Sequence, residues 1–244
     1  MGKGAWGITA VDVLGDAMDG TAGARLATFQ GVVKQPSSVS PHLLANEFVC
    51  SRLALCLGLP VPPGDIVRFP DGALGYLALR LGTEEPPRVI PSDFVRDNED
   101  LAIRVVTFDC WVANDDRHPG NLAYSRGFVP PMIFDHDRAI LGPGEDGVSG
   151  ADRLEKLADR SILNGCIVDG VCGLERVFDR ISDIAAHIRS VASLALPGIC
   201  SSAERAGAFD RDTREAVEQF LASRAAALVK LMGDLNAPGQ RTLG

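Results

Sequence analysis

An apolar helix face ends abruptly in the most polar stretch of the chain. Leu101, Val105, Phe108 and Val112 stand four, three and four residues apart, which predicts one buried stripe on a helix beginning near Asn98, with Trp111 packed beside it. Directly after it come Asn114-Asp115-Asp116-Arg117-His118-Pro119-Gly120-Asn121. Two short apolar runs follow, Leu122-Ala123-Tyr124 and Met132-Ile133-Phe134, and read as strands with a turn around Gly127 and Pro130-Pro131. The second run delivers Asp135, followed by His136-Asp137. A chain of this kind must turn out of a core into a polar loop and return to the core within a few residues. It then carries an acidic loop and an acidic strand end on the same framework.

The chain around this feature has 244 residues, room for one large domain or two small lobes sharing a cleft. Its hydrophobic fraction of 46% and charged fraction of 23% suit a globular core. The net charge is −8 and no Lys/Arg block stands out, so there is no nucleic-acid footprint. The acidity also disfavours an anionic membrane surface as partner. No signal-peptide core and no bilayer-length apolar run is present, so a cytoplasmic location is expected. None of the six cysteines forms a C-x-x-C pair, which favours free thiols in a reducing compartment. Cys50, Cys56, Cys110 and Cys172 lie in apolar runs and are expected to be buried.

Upstream, Ile8–Leu14 and Leu26–Lys34 read as two strands, with Gly15–Arg25 as the glycine-containing hairpin tip between them. Ser40-Pro41 signals a helix start. Leu44, Phe48 and Leu55, with Ala45, Val49 and Leu53, then show helical spacing until Gly58 and Pro60. Lys34 alone reads as a solvated strand end, and Glu47 alone as an exposed helix residue. Asp65–Phe69 and Ala73–Leu81 flank Pro70-Asp71-Gly72, a specific hairpin signal. Thr83–Ser92 holds three prolines and reads as a linker. The expected organisation is an N-lobe over 1–82, a linker over 83–92 and a C-lobe over 93–244. Within the C-lobe, Leu141–Gly150 reads as a loop, and 151–164, 174–195 and 212–235 as helices. Pro197-Gly198 reads as a break, and Asp212 with Glu215 as a capping box.

The chemistry these residue types suit best is phosphoryl transfer from ATP. Magnesium takes one or two hard oxygen ligands from a protein and the rest from phosphates and water. An Asp orients the attacking hydroxyl, a Lys holds phosphates, and a Glu on a nearby helix fixes that Lys. The chain supplies these parts in order: the glycine-containing hairpin, Lys34, Glu47, Asp116, Asn121 five residues later and Asp135 fourteen residues after that.

Asn114-Asp115-Asp116-Arg117-His118-Pro119-Gly120-Asn121 resembles the N-x-D-x-H-x-x-N catalytic loop of the HipA-like kinases, and its Asp-Arg-His run echoes lipid kinases. Ile133-Phe134-Asp135 is similar to the family's metal-binding strand end. Val32-Val33-Lys34, Leu44-Ala45-Asn46-Glu47 and Leu57-Gly58-Leu59-Pro60-Val61-Pro62 resemble its Lys strand, its Glu helix and the segment after it. The resemblance spans roughly residues 18–140. It implies an α+β, bilobal protein-kinase-like fold, with a small antiparallel N-lobe sheet, one helix and a mostly helical C-lobe. It further implies Asp116 as the catalytic base, Asn121 and Asp135 as Mg²⁺ ligands, and Lys34 on the ATP phosphates with Glu47 pairing it. Gly20, Thr21, Ala22 and Gly23 would line the phosphate-covering loop, His118 would brace the catalytic loop, and Asp137 would stand behind the metal ligands. The acceptor implied is a hydroxyl, most simply protein Ser/Thr. The chain departs from ordinary protein kinases in lacking the His-Arg-Asp order and in having Asp-His-Asp in place of Asp-Phe-Gly. It also lacks a G-x-G-x-x-G loop.

Three alternatives stay open at this point. One is a lipid or small-molecule kinase of the same fold. Another is a metal-dependent phosphohydrolase using His118, His136, Asp137, Asp116 and Asp135. The third is an inactive nucleotide-binding module, against which the complete set of residues argues.

Overall fold

A computed structural model of the protein describes residues 11–17, 25–80, 89–125, 129–144, 149–162 and 165–233. The fold is α+β and bilobal. In the N-lobe, β1 (Val11–Ala17) pairs antiparallel with β2 (Arg25–Phe29). A three-stranded antiparallel sheet follows, ordered β3-β5-β4, from β3 (Gly31–Lys34), β4 (Gly64–Arg68) and β5 (Leu74–Leu79). The stretch Leu26–Lys34, expected as one strand, is therefore two strands in two sheets, separated at Gln30. Gly31 opens β3 close against β5: a Cβ there would lie 2.3 Å from Leu77 Cδ1 and 3.1 Å from Ala78 O, so a larger residue would push the Leu77 side chain aside. The Pro-Asp-Gly hairpin forms as expected. Gly72 has φ +88°, and Asp71 Oδ1 accepts from the Ala73 N–H at 3.0 Å.

Helix α1 (Leu43–Cys56) packs against β4 and β5 on one side and a C-lobe helix on the other. That position explains why it is buried almost all round, Asn46, Glu47 and Ser51 included, rather than along one stripe. Leu55, expected on the buried face, is exposed, and so is Cys56 at the helix end. Gly58, with φ +65°, ends the helix. Its start lies later than Ser40. The first helical bond runs from Asn46 N–H to His42 O, while the Ser40 hydroxyl donates to Asp137 Oδ2 at 3.2 Å.

Helix α2 (Pro91–Asp97) opens inside the stretch expected as linker. Helix α3 (Glu99–Val112) buries Val105, Phe108, Trp111 and Val112 fully. It stops at Ala113, whose φ of +53° is left-handed. The Asn114 N–H returns to Asp109 O at 2.9 Å, closing the helix and turning the chain into the polar loop. Strands β6 (Leu122–Ser125) and β7 (Val129–Ile133) then pair antiparallel, Leu122 opposite Ile133. Pro130-Pro131, expected in the turn, lies within β7. A two-stranded sheet consists of edges and tolerates missing N–H donors.

Helices α4 (Ala151–Leu157), α5 (Val168–Cys172), α6 (Val177–Leu194), α7 (Leu196–Ala206) and α8 (Arg211–Gly233) complete the lobe. Pro197-Gly198, expected as a break, lies in the first turn of α7, where proline is tolerated. Helix α7 is the C-lobe partner of α1. At the start of α8 it is Asp210, not Asp212, that accepts from the Thr213 N–H at 2.8 Å, and Glu215 pairs with Arg211. Among the described residues no single helix is long and apolar enough to cross a membrane.

Helix α8 also contributes a fully buried guanidinium. Arg224 donates to Trp111 O at 2.9 Å, Arg160 O at 2.8 Å, and to Cys110 O and Leu157 O. Cys110 and Trp111 stand at the C-terminal end of α3, where carbonyls lack helical partners and the helix dipole favours a cation. Trp111 Nε1 answers by donating to Leu221 O at 2.8 Å. The end of α3, and so the start of the polar loop, is held from a helix more than a hundred residues downstream.

Candidate active site

The N-lobe sheet, α1 and β7 enclose a cleft of about 360 Å³. Val32, Val61, Ala78, Leu79, Met132 and Ile133 give it apolar walls. Lys34, Glu47, Ser51, Asp135 and His136 give it one polar end. A chamber of this size, mostly apolar with a few convergent polar groups, has the character of a small-molecule site.

Three of the expected site residues meet at the polar end. Lys34, on the last residue of β3, donates to Glu47 Oε1 and to Asp135 Oδ1, the latter at 2.7 Å. Glu47 is only 3% exposed. The solvated strand end and the exposed helix carboxylate, each the simpler expectation for its residue alone, are both replaced by one ion triad, with Glu47 buried and Lys34 and Asp135 partly open to the cleft. Burial opposes the Lys34 charge, but Glu47 and Asp135 outweigh it and raise its pKa. Burial alone would also raise the Glu47 carboxyl. His136, whose Nδ1 lies 3.8 Å from Glu47 Oε2, and the Lys34 ammonium outweigh that and bring it down to about 2.

The sign of the pH effect follows. Glu47 folds with a pKa lowered from 4.5 to about 2. Its contribution to stability is therefore complete above about pH 4.5 and is lost as the pH falls toward 2. Denaturant unfolding measured through that window is expected to show a steeper acid loss in the wild type than in Glu47→Gln. The variant should also be less stable at neutral pH, because Lys34 keeps only one carboxylate. Parallel acid profiles would remove Glu47 from this role.

Asp135 lies two residues past the end of β7 with φ +61°, a left-handed conformation that Asp adopts more readily than most residues with a side chain. Its backbone is held from the polar loop. The Phe134 N–H donates to Asn121 O at 3.2 Å, and Arg117 Nη1 donates to Asn121 O at 3.0 Å and Phe134 O at 2.8 Å. Arg117 is itself gripped by Asp109, Nε to Oδ2 and Nη2 to Oδ1, both at 2.9 Å. One buried guanidinium thus joins helix α3, the polar loop and the strand end. Burial would lower its pKa, but the Asp109 charge and hydrogen bonds raise it instead.

Asp116 and Asn121 lie on this loop and are joined to each other. Asn121 Nδ2 donates to Asp116 O at 2.8 Å, which leaves the amide oxygen as the end available to a ligand. The Asp116 carboxylate is more than one-third exposed. Neither residue lines the cleft wall; both stand on the loop that Arg117 ties to Asp135. Gly20, Thr21, Ala22 and Gly23 lie outside the described residues.

His118, expected to brace the loop, does so only locally: its side chain is 54% exposed, and its Nδ1 accepts from the Gly120 N–H at the turn leading to Asn121. The bonds that tie the loop to its neighbours come from Arg117. Asp137, expected behind the metal ligands, accepts from the Ser40 hydroxyl, and its backbone oxygen accepts from Asn46 Nδ2 at 2.6 Å. Burial and the Asp135 charge push the Asp137 carboxyl up to about 6, against the pull of Lys34 and Ser40. The histidine–aspartate metal centre also fails on geometry. His136 is buried edge-on to Phe108 at 5.8 Å while His118 faces outward. Among the described residues no group of three or more His, Cys, Asp and Glu comes together to hold a metal.

No family model and no curated protein sequence matches the chain. Solved structures do. The proinflammatory kinase CtkA of Helicobacter pylori is 14% identical, with a TM-score of 0.57, over 90% of this chain and 93% of that one. A chain of the HipA, HipB and operator DNA complex, a toxin–antitoxin system of Shewanella oneidensis MR-1, is 16% identical, with a TM-score of 0.50. That match covers 88% of this chain and 63% of the other. The chain has a kinase-like fold. Within the kinase-like fold the cleft lies between the small sheet and the β6–β7 pair, and the ion triad lies where the two lobes meet. Arg117, Asn46 and Ser40 are the residues of this site that sequence reasoning passed over. One signal was present: Asp109 stands between Phe108 and Cys110 on an apolar helix, and a buried carboxylate requires a cationic partner.

Proposed function

We propose that this protein is a phosphotransferase that moves the γ-phosphoryl group of Mg-ATP to a hydroxyl, with protein Ser/Thr as the acceptor class. The observation that carries the proposal is the Lys34 ammonium. It is held at the polar end of an apolar cleft by Glu47 from α1 and Asp135 from the β7 end. A lysine placed so is fixed for phosphate contact, with a carboxylate beside it suited to a cation.

The donor set fits magnesium. Asp135 and Asn121 offer hard oxygens, and two protein ligands are enough when phosphates and water supply the rest. Bound there, the ion would neutralise charge on the transferring group. The protein's own residues do the remaining work. The apolar walls hold the base, and Lys34 holds the phosphates. Asp116, on the exposed side of the loop, orients the acceptor hydroxyl and takes its proton. The new bond forms from the acceptor oxygen to the γ-phosphorus as the bond to the ADP oxygen breaks.

Calorimetric titration of the protein with ATP, with and without Mg²⁺, tests this reading together with ADP release on a generic protein substrate. The expected result is saturable binding strengthened by Mg²⁺, and slow turnover. Lys34→Met should weaken ATP binding by at least about tenfold, the loss expected of one charge-assisted contact. No binding of ATP under either condition would overturn the proposal.

A further inference from the structure

The segment that presents Asp135 is conformationally costly. Asp135 (φ +61°), Ile140 (φ +32°) and Gly142 (φ +69°) are all left-handed, and two of the three carry side chains. Such a segment keeps its shape only when its surroundings hold it. Ahead of Asp135 the hold comes from Arg117. Beyond Asp135 the turn closes on itself through Ala139 N–H to His136 O and Gly142 N–H to Ala139 O, and Ile140 N–H bonds Val112 O at 2.8 Å.

One side chain reaches the backbone at both ends of that turn. Asn46 Nδ2 donates to Asp137 O at 2.6 Å, and Asn46 Oδ1 accepts from the Leu141 N–H at 3.1 Å. Asn46 is fully buried, and the two bonds have opposite polarity, so they define the amide orientation. Its chain neighbour is Glu47, which holds Lys34. Two further contacts run the same way: Ser40 Oγ to Asp137 Oδ2, and Gly144 N–H to Val39 O at 2.8 Å.

We infer that Asn46 is a positioning residue that sets the Asp135 carboxylate and the Lys34–Glu47 pair relative to each other. It does so by bonding helix α1 to both ends of the turn that follows Asp135. The inference rests on the phosphotransferase reading. Asparagine is required because the position needs a donor and an acceptor at once. Asp supplies only the acceptor and sets a charge against the Asp137 carbonyl, and an apolar residue leaves both backbone groups unpaired.

The test compares wild type, Asn46→Ala and Asn46→Asp with a core control at Ile188 on α6, truncated to Val or Ala to match the loss of melting temperature. Turnover is measured against Mg²⁺ and ATP concentration, below all melting transitions. The expected result is a Mg²⁺ activation constant raised at least about tenfold in both Asn46 variants, with kcat reduced. The Ile188 control should keep the wild-type Mg²⁺ dependence. Hydrogen exchange at the Leu141 amide should accelerate in Asn46→Ala and less in Asn46→Asp, which keeps the acceptor. Should Asn46→Ala not fold, Asn46→Asp is judged by the same Mg²⁺ criterion. An unmoved Mg²⁺ dependence beside an active wild type would overturn the role of Asn46 alone. A wild type without Mg-ATP turnover would overturn the reading beneath it.

Discussion

Asp116→Ala is expected to lower kcat for phosphoryl transfer about 10²–10⁴-fold, the range for losing a general base, and to leave the melting temperature unchanged. The two halves of this expectation come from different atoms. Everything Asp116 gives the fold it gives through its backbone. Its carbonyl accepts from Asn121 Nδ2 at 2.8 Å and the His118 N–H at 2.9 Å, and its N–H donates to Asn114 Oδ1 at 3.3 Å. Alanine keeps all three. The carboxylate itself approaches only His118, at 3.8 Å, and both side chains are open to solvent. A group so placed adds little to stability and is free for chemistry. Steady-state turnover and scanning calorimetry on the same preparation check both halves. Turnover equal to the wild type would remove Asp116 as the base. A large fall in melting temperature would mean that its carboxylate carries structure that these contacts do not include.

Arg117→Ala is expected to do the reverse, costing about 3–5 kcal/mol of stability, the range for breaking a buried ion pair by removing one partner. The substitution strands the Asp109 carboxylate, which is 3% exposed, and leaves Asn121 O and Phe134 O without their shared donor. Arg117→Lys should recover little of the loss, since an ammonium cannot bond Asp109 in two places and still reach both carbonyls. Urea unfolding gives the number directly. A cost below about 1 kcal/mol, typical of an exposed pair, would show that the clamp is dispensable. The contrast matters for interpreting any inactive variant. Asp116 and Arg117 are chain neighbours on one loop, yet on the proposed reading activity lost at the first would be lost chemistry and at the second lost architecture.

The cluster of Lys34, Glu47 and Asp135 could be read from the sequence because its parts stand in a fixed order along the chain. Lys34 and Glu47 are each unremarkable, and the acidic loop downstream is what gave them a joint meaning. The structure brings them together with Asp135. What could not be read was which groups hold the loop. The resemblance pointed to His118 as the brace and gave Arg117 no role, yet it is Arg117 that joins the loop to α3 and to the strand end. Burial distinguishes them, and burial depends on where Asp109 points, eight residues upstream on a helix. Asn46 was hidden for a similar reason: its partners are backbone atoms of residues 137 and 141, which have no sequence signature. In the fold, Leu26–Lys34 carried continuous strand propensity across a change of sheet that only the strand pairing reveals, β2 with β1 and β3 with β5. Helix α7 was obscured by Pro197-Gly198, residues that punctuate a chain in most contexts but here occupy a first helical turn.

The guanidinium of Arg224 also orders events in time. The carbonyls it binds, Cys110 O and Trp111 O, close α3 just ahead of the loop that carries Asp116. During synthesis every residue of the site leaves the ribosome before Arg224 does. While the roughly ninety residues from Asp135 to Arg224 are made, several seconds at ordinary elongation rates, a nascent chain would hold Lys34, Glu47, Asp116 and Asp135 without the strut beneath them. The end of α3 would gain that strut only when α8 docks.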